Sequence, residues 1–156
     1  ASAYTSGEIV IKSDGSPWRP VVHVRDVCSA FLAGLEAPKS LVINESFNVG
    51  IENGNFTVKE LALAAQKVVS KSKLKFTGEH GSDSRTYKVS FKKILNVLSD
   101  YYKPEWNLIN GGEELVNNFD RLDFHKEDFL GFKCTRLNEL KENIESKKLN
   151  KNLFWT

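Results

Sequence analysis

Methionine is missing from this sequence altogether, and position 1 holds alanine. A complete gene product normally starts with methionine, so the chain reads as processed or as a piece of something longer. Cysteine occurs only as Cys28 and Cys134, with no CxxC spacing and no histidine cluster beside either. That argues against a disulfide framework and against a metal site; free thiols in a reducing cytosol are expected, which places the protein in the cytoplasm. No apolar run approaches the ~18 residues of a membrane span, and no basic-then-apolar leader opens the chain. A dominant charge sign is lacking too, with 22 Lys and Arg against 20 Asp and Glu. So balanced a charge gives no ground for a nucleic-acid partner or an acidic membrane surface. The lysine-rich stretch Lys141 to Lys151 also carries Glu142 and Glu145 and reads as a solvated helix face.

What is present is ordinary globular composition. The 156 residues are 40% hydrophobic, 11% aromatic and 27% charged, enough for one domain with a real core. Glu8 to Ile11 is a short β-type run, followed by the turn chemistry of Ser13-Asp14-Gly15-Ser16-Pro17. Pro20 to Val24 reads as a second strand. A helix then opens at Asp26, whose charge suits the positive end of the helix dipole, with Val27, Ala30, Phe31, Gly34 and Leu35 as its apolar face. Glu45 to Val49 reads as a strand ending at Gly50. Thr57-Val58-Lys59-Glu60 has the form of a capping box, and its helix places Val58, Leu61, Ala62, Ala65, Val68 and Val69 on one face. Leu74 to Thr77 is a candidate strand, Tyr87 to Val89 is extended, and Ser90 can cap a helix carrying Phe91, Ile94, Leu95 and Leu98. Asn110-Gly111-Gly112-Glu113 looks like a further cap, and Leu137, Leu140 and Ile144 define a last helix. Strands alternate with helices for about a hundred residues before helices take over, an α/β pattern with a helical tail.

Few residues carry obvious chemistry. There is no GxSxG elbow, no GxGxxG and no GxxxxGK[ST], so neither an acyl-transfer nucleophile nor a glycine-rich phosphate loop is indicated. Of the three histidines, His23 sits in an apolar run and reads as a satisfied strand-end residue, while His80 and His125 lie in polar surroundings. Two arginines stand out. Arg19 follows a tight turn at the start of a strand, and Arg85 follows a Gly-Ser-Asp loop ahead of another extended run. A planar guanidinium held at a strand edge suits bidentate phosphate recognition, and two could clamp a diphosphate; by composition alone, two surface arginines are the simpler reading.

Longer segments carry a resemblance. Ser13 to Val27 (SDGSPWRPVVHVRDV) resembles the [S/G]DG-x-x-x-R-x-x-[V/I]HV-x-DV signature of the extended short-chain dehydrogenases/reductases, the NAD-dependent epimerases and dehydratases of nucleotide sugars. In the same order, Phe47-Asn48-Val49-Gly50 is similar to that family's [F/Y]N[V/I/L]G strand end. Asn55 to Ala62 (NFTVKELA) is similar to its N-[F/Y]-T-V-x-E-[L/I]-A helix start, and Asp83 to Ser90 (DSRTYKVS) to its D-x-R-x-Y segment. The likeness covers about residues 5 to 100.

The resemblance implies the C-terminal, substrate-binding portion of an extended Rossmann-type enzyme. Residues 1–103 would form the substrate-binding lobe and 104–156 a helical extension packed on it. Arg19 and Arg85 would neutralise the diphosphate of a nucleoside-diphosphate sugar. Asn55 matches a nucleotide-contacting position, Asp83 lies in the loop lining that side, and Asn48 ends a strand at the crevice where open α/β sheets bind ligands. The cofactor, NAD or NADP, would bind an N-terminal Rossmann half of the same polypeptide, through a glycine-rich turn and a YxxxK pair that this chain lacks. This chain alone would then be inactive, with a homodimer an expectation for the full enzyme only. The full enzyme would oxidise the sugar transiently, alter the keto sugar and return the hydride. The rival readings are a non-catalytic nucleotide-sugar-binding or regulatory module and a structural relic with no ligand.

Overall fold

The computed structural model describes residues 1–78, 85–131 and 133–156. Helix α1 (Ser2–Ser6) leads through Gly7 into strand β1 (Glu8–Ile11), and β2 (Trp18–Pro20) follows the turn. Then come α2 (Val24–Glu36), α3 (Lys39–Val42), β3 (Asn55–Thr57), α4 (Val58–Val68) and β4 (Lys73–Phe76). Helices α5 (Lys92–Val97), α6 (Leu108–Arg121), α7 (Lys126–Leu130) and α8 (Arg136–Glu145) complete the chain.

Strand β1 pairs in parallel with β4, Glu8 opposite Lys73 and Ile11 opposite Phe76. Strand β2 pairs antiparallel with β3, Trp18 opposite Thr57 and Pro20 opposite Asn55. The turn between β1 and β2 folds down on α4: Lys59 donates its N–H to the Gly15 carbonyl at 2.9 Å and Val58 donates to Pro17 at 2.9 Å. Gly15 has φ +84°, and a Cβ there would lie 2.9 Å from Lys59 Cβ, so only glycine fits this turn. The capping box forms as the sequence predicts. Glu60 N–H donates to Thr57 Oγ1 at 3.1 Å and Thr57 N–H to Glu60 Oε2 at 2.7 Å. That backbone N–H holds the Glu60 carboxyl below its ordinary pKa.

Two apolar clusters hold the elements. Ala3, Ile9 and Ala62 join α1, β1 and α4, with Leu74 of β4 against them. Ala30 and Ala33 of α2, with Ala37 at its C-terminal cap, pack on Ile94, Leu98 and Tyr102, with Phe47 and Val49 alongside. Tyr102, 2% exposed, donates its hydroxyl to the Gly50 carbonyl at 3.0 Å; burial pushes its pKa up to about 12.

Several expectations change. The second strand ends at Pro20, because His23 caps α2: its Nδ1 accepts the Arg25 N–H at 3.2 Å. Helix α2 turns Ala30 and Ala33 to the core; of the expected face Ala30 is buried, while Phe31 (73% exposed) and Leu35 (83% exposed) lie outside. Residues 45–50 form no strand, since no neighbouring strand pairs with them among the described residues. Ser90 does not cap α5, which begins after Phe91 without a side-chain cap. Helix α6 starts before the two glycines, capped by Asn107, whose Oδ1 accepts from Ile109 at 2.9 Å and Asn110 at 3.1 Å. The glycines serve close packing: a Cβ on Gly112 would meet Val68 Cγ2 of α4 at 2.9 Å. Asp26 is more than a first-turn charge. It is 2% exposed, and its carboxylate accepts the backbone N–H of Glu105 at 3.0 Å and Trp106 at 3.2 Å. The tail is tied down again where Tyr4 donates to Asp120 Oδ1 at 2.6 Å. Among the described residues, no helix is long and apolar enough to cross a membrane, both cysteines are free and exposed, and no metal-binding cluster occurs.

Candidate functional site

The predicted site residues converge on one extended stretch, residues 85–90. Arg19, half-buried in β2, donates from Nη1 to its neighbour's carbonyl, Trp18 O, at 2.8 Å and to the Arg85 carbonyl at 2.5 Å. Its guanidinium also lies 5.9 Å from the Tyr87 ring centroid. Trp18 donates its N–H to Thr86 Oγ1 at 3.0 Å, and Lys88 Nζ stands 3.6 Å above the Trp18 ring. Asn55, at the start of β3, uses both ends of its amide on Val89: Nδ2 donates to the Val89 carbonyl at 2.9 Å and Oδ1 accepts the Val89 N–H at 2.8 Å. Asn48 Nδ2 donates to the Ser90 carbonyl at 3.3 Å.

Two sequence features explain why the stretch is held this way. Strand β2 ends the SDG turn with an aromatic-cation pair, Trp18-Arg19, and β3 carries Asn55 opposite Pro20, so one edge of the small sheet presents both donors and acceptors. An extended chain has a free N–H and C=O at each residue. The Asn55 amide supplies one donor and one acceptor in the geometry of a strand neighbour. The result is a segment held against the β2–β3 sheet through Trp18, Arg19 and Asn55.

Four of the five predicted residues therefore meet here: Arg19, Arg85, Asn55 and Asn48. Asp83 lies outside the described residues, as does His80. The structure engages the side chains of Asn55 and Asn48 in holding the chain. Sequence reasoning did not assign Trp18, Thr86 or Lys88 to the site, although all three lie within the quoted motifs. A cleft of about 1230 Å³ runs beside the segment, walled by Asn53, Asn55, Lys88, Ser90, Phe91 and Trp106. Lys92, Glu52 and Glu105 line it as well. A second, smaller cavity of about 190 Å³ lies between the end of β2 and α6, lined by Val22, Phe56 and Leu115 among others.

Residues 1–50, which contain α1, β1, β2 and α2, match the family model described as the NAD dependent epimerase/dehydratase family. Residues 1–50 carry that family's sequence pattern. No curated protein matches the sequence. Solved structures show the same fold. An L-threonine dehydrogenase from Phytophthora infestans superposes with a TM-score of 0.61 at 14% identity, covering 76% of this chain and 39% of its own. A UDP-glucuronic acid 4-epimerase from Bacillus cereus, in complex with UDP-glucuronic acid and NAD, gives 0.59 at 21%, over 74% of this chain and 36% of its own. The PbgP3 protein from Burkholderia pseudomallei gives 0.56 at 19%, over 76% and 36%. This chain thus has the α/β fold of Rossmann-type epimerases and dehydrogenases and spans less than two-fifths of the length of these structures.

The family's nicotinamide cofactor does not fit the residues of this chain. Strand β1 runs into the Ser13–Pro17 turn, which packs on α4 and is not a dinucleotide-binding glycine turn, and none of the four tyrosines is followed by lysine four residues on.

Proposed function

We propose that this chain is the substrate-binding portion of an epimerase/dehydratase acting on nucleoside-diphosphate sugars, and that Arg19 and Arg85 bind the diphosphate. The observation that supports the reading is the hydrogen bond from the Arg19 guanidinium to the Arg85 backbone carbonyl, which brings the two residues together. A guanidinium has five donors in a rigid fork, and a diphosphate offers oxygens at matching spacing. The UDP-glucuronic acid carried by the Bacillus cereus neighbour supports the substrate class.

In this reading the chain's share of the work is positional. Arg19 and Arg85 hold the charged end of the substrate, remote from the reacting carbon. Asn55 and Asn48 hold residues 89 and 90 in place, and binding energy gathered here orients the sugar. Residues 1–103 form the lobe, and 104–156 pack on it as its helical extension. NAD or NADP is held by the rest of a longer polypeptide of Rossmann type.

The test is calorimetric titration with UDP, on this chain and on any longer polypeptide that contains it. Arg19→Ala and Arg85→Ala should each lose about 1.5–3 kcal/mol, the worth of a hydrogen bond to a charged group. At 1.4 kcal/mol per decade that is roughly 10- to 150-fold in affinity. Both variants binding UDP like the wild type would remove the phosphate assignment. UDP binding by a native polypeptide of this length that lacks turnover would favour a non-catalytic binding module.

A further inference from the structure

The segment His23–Asp26 makes a second set of contacts, separate from those of residues 85–90. His23 Nε2 lies 2.8 Å from Glu114 Oε2, and Arg25 Nη2 lies 2.5 Å from Glu114 Oε1. The His23 ring stacks on Trp106, centroids 4.1 Å apart and planes 12° from parallel, and the Arg25 guanidinium lies 5.1 Å from the centroid of a Trp106 ring. The open edge of the imidazole is met by Gly111, where a Cβ would come within 3.1 Å of His23 Cδ2. Because Nδ1 accepts the Arg25 N–H, the ring's proton belongs on Nε2, where it is donated to Glu114. Both ring nitrogens are thereby used, so the His–Glu pair has no nitrogen left to move a proton for a substrate.

We infer that Glu114 is a positioning residue: by holding His23 and Arg25, it fixes the end of the strand that presents Arg19. The pair is well placed for this, since the side chains of His23 and Glu114 are 17% and 23% exposed. A hydrogen bond donated to a carboxylate is stronger where water is kept from it than at the open surface. Between Arg19 and His23 lie only Pro20, Val21 and Val22, a connection of three residues, and Val21 ties it to the sheet through its N–H to the Gly54 carbonyl at 2.9 Å. Displacement at His23 therefore passes to Arg19. This inference rests on the reading of Arg19 as a phosphate ligand.

The experiment compares wild type, Glu114→Ala and Arg19→Ala by UDP titration, by urea unfolding, and by long-range ¹H–¹⁵N spectra of the His23 ring. Glu114→Gln, which keeps the side chain's size and one acceptor, replaces E114A if that variant does not fold. The expected result is a His23 Nε2–H signal that is shifted in the wild type by its bond to Glu114 and loses that shift in E114A, while Nδ1 still accepts the Arg25 N–H in both. E114A should bind UDP roughly 3- to 30-fold more weakly while still unfolding cooperatively. Wild-type affinity in E114A together with lost affinity in R19A would overturn the positioning role and leave the phosphate reading standing. An unchanged His23 Nε2–H signal in E114A would overturn it as well. Equal UDP binding by wild type and R19A, or none by either, would refute the phosphate reading itself and the inference with it.

Discussion

Asp26→Asn separates two accounts of the same residue. As a first-turn charge, Asp26 would contribute about 0.3–1 kcal/mol through the helix dipole. As a buried carboxylate that accepts the N–H groups of Glu105 and Trp106, it should contribute more. Asparagine keeps the shape and one acceptor oxygen, but turns an NH₂ toward one of the two backbone donors. One charge-assisted bond is lost, worth about 1.5–3 kcal/mol, and one backbone N–H is stranded at about 1–3 kcal/mol. The two losses overlap, and removing a buried charge returns part of its desolvation cost. The net expectation is about 2 kcal/mol for D26N and about 3 kcal/mol for Asp26→Ala, which leaves both N–H groups without partners. For a domain of this size, 2 kcal/mol lowers Tm by roughly 4–8 °C. Urea unfolding followed by tryptophan fluorescence reads the change directly, since Trp106 is one of the two residues the carboxylate holds. A loss below about 1 kcal/mol in D26N, with an unchanged m value, would refute the tether and restore the dipole account.

Other perturbations probe the rest of the fold. Gly112→Ala should destabilise by about 1–3 kcal/mol in thermal unfolding, because the added methyl meets Val68 at 2.9 Å; a neutral result would mean that α4 and α6 yield freely. Thr57→Ala should cost about 1 kcal/mol by removing the cap of α4, read in the same assay. Tyr102 has its folded pKa raised to about 12, from 10.0, by burial. A raised value means its contribution is complete below pH 10 and is lost as the pH rises toward 12. Tyr102→Phe should abolish that part of the alkaline loss, and identical alkaline curves for both proteins would count against the buried phenol. The outward stripe of α2, Val24, Phe31 and Leu35, is an apolar surface facing solvent. Phe31→Glu should leave unfolding within about 0.5 kcal/mol and reduce self-association measured by sedimentation; a large stability loss would show that Phe31 packs inside.

The local signals in the sequence are those that depend on neighbouring residues. The Thr57–Glu60 box, the Ser13–Pro17 turn and the β1 and β4 strands were all legible, because each is set by chemistry within a few positions. The face of α2 was not. That helix is apolar nearly all round, so periodicity could not choose between a face of alanines and one of Phe31 and Leu35. The choice is made by Ile94, Leu98 and Tyr102, some sixty residues on, which approach closely only over small side chains. Residues 45–49 have strand composition but no strand to pair with among the described residues, and β propensity without a partner makes no strand. At the candidate site, Arg19, Arg85, Asn55 and Asn48 were all flagged by motif. That the asparagines grip Val89 and Ser90 was not legible, since the contacts join residues 34 and 42 positions apart. The tie from Glu114 to His23 was invisible for the same reason.

The central claim is that Arg19 and Arg85 form one diphosphate site. A crystal structure of the polypeptide bound to UDP tests it most directly. The account predicts the guanidinium groups of Arg19 and Arg85 within hydrogen-bond distance of the phosphate oxygens, with residues 89 and 90 still held by Asn55 and Asn48. A diphosphate bound elsewhere, with both arginines turned from it, would contradict the account.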